Sequence, residues 1–196
     1  MPDTSLAVRR PRDVVAVVGP DARAYLQGQL SQDVDALEVG GSAETFLLQP
    51  AGKVDAWMRV SRLADDHYLL DVEAGFGSQV VARLTRFLLR TDCTIEEVEW
   101  DLVTVIDAEA SGFSPPAGGL ALPVEWPGLV AVDLLGPSVE LPGGLGEGSP
   151  LDWEARRIAA GIPAMGSEMD STTIPGATGV VDRSASFTKG CYTGQE

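Results

Sequence analysis

Apolar residues recur first with strand spacing and then with helical spacing near the start of the chain. A β-branched run at Val14–Val18, closed by a Gly-Pro pair, predicts a strand. The segment that follows, from a capping residue at Asp21 to about Val34, predicts a helix. Its apolar residues fall near helical spacing and form one inward face: Tyr25, Leu26, Leu30 and Val34.

Antiparallel strands dominate the next part of the pattern. Ser42–Gln49 and Val54–Leu63 flank the turn residues Pro50-Ala51-Gly52-Lys53, which predicts a hairpin. Three further elements, a strand, an amphipathic helix and a strand, are predicted at Tyr68–Val72, Gly75–Leu89 and Thr94–Ile106. Because strands and helices do not alternate regularly, the pattern predicts an α+β fold with antiparallel sheets and helices packed on one face.

The composition changes at about residue 108. Pro, Gly and Ser dominate residues 108–150 around one clear strand at Leu129–Leu135. A short helix at Leu151–Gly161 follows, and a loop-like tail runs to Glu196. We therefore predict two α+β subdomains, residues 1–107 and residues 108–196.

Charge and composition exclude several classes of function. The net charge of −15 repels nucleic-acid phosphates, so no direct nucleic-acid partner is expected. No run of about 18 apolar residues predicts a membrane span, and no signal peptide is recognised. The two cysteines, Cys93 and Cys191, lie far apart and fit a reduced, cytoplasmic setting. With a single histidine, His67, they predict no standard His/Cys metal site.

Two glycine features have ordinary explanations beside functional ones. Gly75-Phe76-Gly77 opens a helix after a strand, but Val80 replaces the third glycine of a phosphate-binding pattern, which favours a simple strand-to-helix turn. Gly28 interrupts the first predicted helix, and indicates either close backbone packing or a nearby ligand.

The last eight residues, KGCYTGQE, combine a cation, two glycines, a thiol, an aromatic ring and an acid. The glycines permit close backbone approach. Lys189 beside Cys191 favours the thiolate and raises its reactivity. These residues alone leave open a functional loop or an ordinary terminal segment, because a cysteine without a base is a weak signal of catalysis.

This octapeptide resembles the signature of the YgfZ-type folate-binding proteins, relatives of the glycine-cleavage T-protein in the aminomethyltransferase-like superfamily. Other segments resemble that family in the family's order. They are Tyr25–Val34, the hairpin Leu47–Val54, Arg157–Pro163 and Thr173–Pro175. The resemblance implies the aminomethyltransferase folate-binding fold.

The resemblance also implies a function. The chain is expected to bind tetrahydrofolate or a derivative and to support assembly or repair of iron–sulfur client proteins, with an indirect effect on tRNA modification. Cys191 corresponds to the family's key cysteine, with Lys189 beside it. Trp153 matches a tryptophan that contacts the pterin, and Asp55 is expected to line the same cavity. Without the resemblance, ordinary packing is the simpler role for Trp153.

Departures from the family pattern leave two other readings. Ala56 follows Asp55 where aminomethyltransferases have a second acid, and Ala159 stands where their folate-binding helix has a glutamate. Both changes favour a non-catalytic folate-binding protein over a tetrahydrofolate-dependent aminomethyltransferase. Family members also continue into a C-terminal β-barrel, whereas this sequence ends at Glu196. An inactive truncated fragment is the third reading.

Overall fold

The computed structural model describes residues 5–196 and divides into two compact units. The first combines the N-terminal residues to Arg12 with Glu99–Pro163, and the second combines Asp13–Val98 with Ala164–Glu196. Each unit has its own sheet. The two units differ from the predicted subdomains 1–107 and 108–196, because the N-terminal strand pairs with a strand within Glu99–Pro163 and the C-terminal tail is hydrogen-bonded to residues near Ser31 and Val54.

The described residues form ten strands and four helices. The strands are β1 Leu6–Arg10, β2 Arg12–Val18, β3 Ser42–Leu48, β4 Val54–Ala64, β5 His67–Glu73, β6 Thr94–Val98, β7 Asp101–Ile106, β8 Leu120–Trp126, β9 Leu129–Gly136 and β10 Gly146–Glu147. The helices are α1 Ala22–Gln29, α2 Gly77–Thr85, α3 Pro150–Ala160 and α4 Val181–Ser184. None of the helices in the described part of the chain is long and apolar enough to cross a membrane.

The first unit is a five-stranded sheet in the order β10-β1-β7-β9-β8. Its pairings are antiparallel except for the short parallel pair β1–β10. Helix α3 packs against β1 and β9. It begins with a capping box of Ser149 and Asp152 and ends at Gly161, whose φ of 73° supplies the left-handed turn.

The second unit is a five-stranded sheet in the order β3-β4-β5-β2-β6. Helix α2 packs against β4, β5 and β6, while α1 packs on β5 and α4 on β3. All four apolar residues predicted for the inward face of the first helix are buried: Tyr25, Leu26, Leu30 and Val34. The α+β fold with antiparallel sheets and packed helices is confirmed.

Several predicted elements have different bounds. The helix predicted at Gly75–Leu89 is the shorter α2, and the region predicted to hold one clear strand contains both β8 and β9. The strand predicted over Thr94–Ile106 is wrong as one element, because the chain breaks at Glu99-Trp100 and its halves join different sheets: β6 pairs with β2, and β7 pairs with β1 and β9. Helix α1 ends at Gln29 rather than near Val34, and Asp21 gives it no side-chain cap. Instead, the Asp21 carboxylate accepts a hydrogen bond from the Asp92 backbone N–H at 2.8 Å.

A buried ion pair joins β4 to β5 in the second unit. Arg59 Nε donates to Asp71 Oδ2 at 2.8 Å, and Arg59 Nη2 donates to Oδ1 at 3.2 Å. The Asp71 side chain is 1% exposed and that of Arg59 is 13% exposed. By contrast, Arg23 and Asp35 form an ion pair with side chains 45% and 50% exposed.

We predict that Asp71→Asn lowers the free energy of unfolding by about 3 kcal/mol, because it deprives a buried guanidinium of its carboxylate. Asp35→Asn is the matched control and has the smaller effect, since solvent screens the exposed pair. Urea unfolding followed by far-UV circular dichroism measures both. Equal effects of the two variants would contradict this assignment of the buried pair.

Candidate functional site

The C-terminal octapeptide lies against the end of α1 in the second unit. The Lys189 ammonium donates to three backbone carbonyls, those of Gln27 at 2.6 Å, Leu30 at 2.8 Å and Gln32 at 2.9 Å. Its Nζ also lies 5.3 Å from the centre of the Tyr192 ring. A lysine has three N–H donors, so these three carbonyls occupy all of them.

Burial changes the protonation of this ammonium. Desolvation lowers the pKa of Lys189 to about 8, and the nearby carboxylates of Asp33 and Asp35 offset part of that decrease. A cation at a helix C-terminus interacts favourably with the exposed carbonyls, typically by about 0.3–1 kcal/mol. Helix α1 has no basic residue in its own last turn, so Lys189 supplies the cation from elsewhere in the sequence.

The second anchor of the octapeptide is on the far side of Cys191. The Thr193 N–H donates to the Gly28 carbonyl at 3.1 Å. A Cβ at Gly28 would meet no atom within 4 Å, so close packing does not require a glycine there. Gly194, at φ 80°, lies so close to the hairpin that a Cβ there would clash with the Gln49 carbonyl and approach Leu48 Cβ to 2.7 Å. The octapeptide therefore packs against both α1 and the β3–β4 turn.

Buried hydroxyls anchor the segment just before the octapeptide. Ser31 Oγ donates to the Ser184 carbonyl at 2.6 Å and accepts from the Phe46 N–H at 2.8 Å. The indole N–H of Trp57 donates to Ser184 Oγ at 2.8 Å. Ser31 and Ser184 are both fully buried. Polar groups at this depth need partners, so the network fixes where the chain leaves α4.

The two cysteines have different surroundings. Cys191 is a free, exposed thiol held between the two anchors of the octapeptide. Cys93 is also free but only partly exposed, beside Gly19. Burial raises the pKa of the Cys93 thiol, and the carboxylates of Asp21 and Asp92 raise it further. Of the two, the exposed Cys191 is the candidate for reaction with a partner or a small molecule.

Asp55 is engaged by an arginine from α2. Arg83 Nε lies 3.1 Å from Asp55 Oδ2, and the side chains are 9% and 15% exposed. Arg83 Nη2 also donates to the Leu48 carbonyl at 2.8 Å, which ties α2 to the hairpin. Arg83 offsets the charge of the Asp55 carboxylate, but the contact is an ion pair without a hydrogen bond, since Arg83 Nε has no hydrogen-bond partner among the described residues.

Trp153 is in the first unit, on α3. The residue is 7% exposed, and the Arg10 guanidinium lies 3.7 Å from the ring centre. Arg10 also donates to Thr104 Oγ1 at 3.2 Å and lies 3.6 Å from Asp133. A pterin that stacks on this indole face must displace Arg10. Within its own unit, each of the two residues has a cation against it, Arg10 on the indole and Arg83 beside the carboxylate, and we derive no step through tetrahydrofolate.

The glycine turn before α2 is filled by a carboxylate of the chain itself. Asp13 Oδ2 accepts from the Gly75 and Gly77 N–H groups, each at 2.8 Å. This arrangement supports the simple strand-to-helix turn that the sequence favours, since the N–H groups already have an anionic partner. Among residues 5–196, no group of three or more His, Cys, Asp or Glu side chains is arranged to hold a metal ion.

Several segments that resemble the folate-binding family converge in the second unit. The octapeptide contacts Tyr25–Val34 and the hairpin, and the Val54 N–H donates to the Thr173 carbonyl at 2.9 Å. Arg157–Pro163 is in the first unit, where Arg157 pairs with Glu154 and donates to the Ile162 carbonyl. The roles of Ser31, Ser184 and Arg83 are not predicted from the sequence, because their partners are distant along the chain.

Comparisons with known proteins find a matching domain and a similar fold. Residues 13–108 match the GCVT N-terminal domain. The fold is similar to the crystal structure of the glycine cleavage system aminomethyltransferase T from Bartonella henselae, with a TM-score of 0.73 and 18% identity over 88% of this chain and 55% of that one. The first match covers just under half of the chain, and the second shows that the chain shares the aminomethyltransferase fold.

Similar sequences come from several kinds of organism. The chain is 28% identical to an uncharacterized protein of Haemophilus influenzae over 93% of its own length and 63% of that protein. It is 27% identical to the iron–sulfur cluster assembly factor IBA57 homolog, mitochondrial, of Pyricularia oryzae, over 95% of this chain and 51% of that protein. A 60-residue segment is 42% identical to an aminomethyltransferase of Lysinibacillus sphaericus and covers 16% of it. The chain thus spans less than two thirds of the length of each of these relatives.

The lowered pKa of Lys189 predicts a pH-dependent contribution to stability. Between its folded value of about 8 and the ordinary value of 10.5, the unfolded chain holds more protons on this group. The free energy of unfolding of the wild type should therefore rise relative to that of Lys189→Met as pH increases through this window. Urea unfolding of both proteins at about pH 7.5 and about pH 9.5 measures the difference. A difference that stays constant or falls would contradict the predicted linkage.

Proposed function

We propose that this chain binds a folate and supports the assembly or repair of iron–sulfur proteins, with Cys191 as its reactive group. The observation that carries the proposal is the anchored octapeptide, which holds an exposed thiol at a fixed place on the second unit. The similarity to a protein named as an iron–sulfur cluster assembly factor, over nearly the whole of this chain, supports the same function.

The exposed thiol is suited to contact with a client protein. Iron–sulfur clusters are commonly held by cysteine thiolates, so a thiol on a fixed loop has the chemistry to contact a cluster or a cluster ligand. The loop presents Cys191 to solvent while its neighbours are tied to backbone groups. Partners in this proposal are folate and iron–sulfur client proteins, and any effect on tRNA modification passes through a client enzyme.

Folate binding is proposed from the family match rather than from the contacts of Trp153 and Asp55. The two residues stay candidates, on the condition that Arg10 leaves the indole and Arg83 leaves the carboxylate. The net charge of −15 is unfavourable for an anionic ligand, so a cofactor with carboxylates needs a local cation, which Arg10 in the first unit or Arg83 in the second provides once displaced.

Cys191→Ser is predicted to abolish the ability of the chain to restore iron–sulfur enzyme activity in a strain that lacks its own copy of the gene. Cys93→Ser is the matched control and should restore activity as well as the wild type, because Cys93 is a less exposed thiol with a raised pKa. The measurement is the activity of an iron–sulfur enzyme in cell extracts at equal levels of the variants. Full restoration by Cys191→Ser would show that the thiol has no such role.

Calorimetric titration of tetrahydrofolate into the 196-residue protein tests the folate part. We expect saturable binding that Trp153→Ala removes and that Trp100→Ala, a partly buried tryptophan of the same unit, leaves intact. Binding that survives Trp153→Ala would place the pterin elsewhere. No binding to the wild type would remove folate from the proposal.

A second candidate function is tetrahydrofolate-dependent aminomethyl transfer. The 60-residue match to an aminomethyltransferase favours it. Two features oppose it: Ala56 stands beside Asp55 in place of a second acid, and the Asp55 carboxylate is paired with Arg83. An assay for methylenetetrahydrofolate formation with aminomethyl donors separates the two functions, because product formation above the level of a protein-free control is expected only of a transferase.

A further inference from the structure

We infer that Lys189 is a positioning residue, which fixes the loop carrying Cys191 to the end of α1 and does not act as the electrostatic partner of the thiol. This inference rests on the proposed role of Cys191. It reverses the expectation from sequence, where a lysine two residues from a cysteine indicates an activated thiolate.

The hydrogen-bond donors of Lys189 are all used by the backbone. Its three N–H groups all have carbonyl acceptors, at 2.6, 2.8 and 2.9 Å. No N–H is left to donate to Cys191 Sγ. The ammonium is also partly buried against Tyr192, whereas the thiol is exposed, so the two groups occupy different environments.

The carbonyls at the end of α1 require hydrogen-bond partners from outside the helix. The last carbonyls of a helix have no partner within the helix. Gln27 belongs to the final turn of α1, Leu30 is its C-cap and Gln32 lies two residues further on. Helix α1 carries no basic residue in that turn, and the Lys189 ammonium satisfies three carbonyls at one point.

The anchors of the loop lie on both sides of Cys191. Lys189 precedes Cys191 by two residues, and Thr193, bound to the Gly28 carbonyl, follows it by two. Gly194 then makes the close approach to Gln49 that a side chain would prevent. Both anchors are on α1 or directly beside it, so the short stretch between them is held at each end.

The test uses a Cys93→Ser background, so that Cys191 is the sole thiol. Two properties are compared between this protein and its Lys189→Met variant: amide hydrogen exchange at Thr193, and the pH profile of Cys191 alkylation by iodoacetamide. Positioning predicts that Thr193 exchanges at least about tenfold faster in Lys189→Met. It also predicts that the midpoint of the alkylation profile is the same in both proteins, because the reactivity of Cys191 does not depend on the Lys189 charge.

Lys53→Met is the matched control, since Lys53 is the other lysine of the sequence and is exposed in the hairpin turn. It should change neither property. A rise of about one pH unit in the alkylation midpoint of Lys189→Met would show that the ammonium stabilises the thiolate, and would overturn the inference. Unchanged exchange at Thr193 would also overturn it.

If Lys189→Met does not fold, the same two measurements are made on Lys189→Arg. The guanidinium keeps the charge, but its planar fork does not match three carbonyls around one point. Positioning then predicts faster exchange at Thr193 with the alkylation midpoint unchanged, and retained protection would refute it. These readouts are independent of client activity. A Cys191→Ser variant that still restores iron–sulfur enzymes would end the proposed function without deciding the role of Lys189.

Discussion

The attachment of the C-terminal segment depends on hydrogen bonds to backbone groups rather than on apolar burial. Within Val181–Glu196, which the structure describes throughout, Ser184 is the one buried residue. The segment is held by the Ser31–Ser184 contact, the Lys189 ammonium and the Thr193 N–H. An apolar contact tolerates sliding, whereas these bonds fix direction and distance. The position of the exposed thiol is therefore set by polar geometry.

The residues that the sequence predicts for binding or reaction have structural contacts in the folded chain. Lys189 holds a helix end, Asp55 pairs with Arg83, and Trp153 lies under Arg10. Each combines a side chain suited to a ligand with a partner from the chain itself. A ligand must compete with these partners, so its affinity is reduced by the free energy needed to separate them. This competition distinguishes each of these positions, taken within its own unit, from an open pocket with free donors and acceptors.

The sequence predicts the parts of the fold that depend on local pattern. The α+β class, the hairpin and the inward face of α1 follow from apolar spacing and turn residues. It does not predict the break at Glu99-Trp100, because the apolar spacing on both sides is that of one strand and only the pairing separates β6 from β7. The partners of Lys189 cannot be predicted from the sequence either, because every residue has a backbone carbonyl. Cys191 stands out by its local mixture of residues, whereas Ser31 and Ser184 look like ordinary serines.

The second unit is discontinuous in sequence, with Glu99–Pro163 separating its two parts. During synthesis, α1 emerges long before residue 189, since Lys189 and Gln27 are 162 positions apart. At about 5–20 residues per second, the ribosome leaves the end of α1 without its cation for about eight seconds or more. The nascent chain must carry those carbonyls hydrated until residue 189 arrives. Completion of this unit therefore waits for the segment around residue 189, and a ribosome that stalls before it releases a chain with the thiol-bearing loop missing and the helix end open.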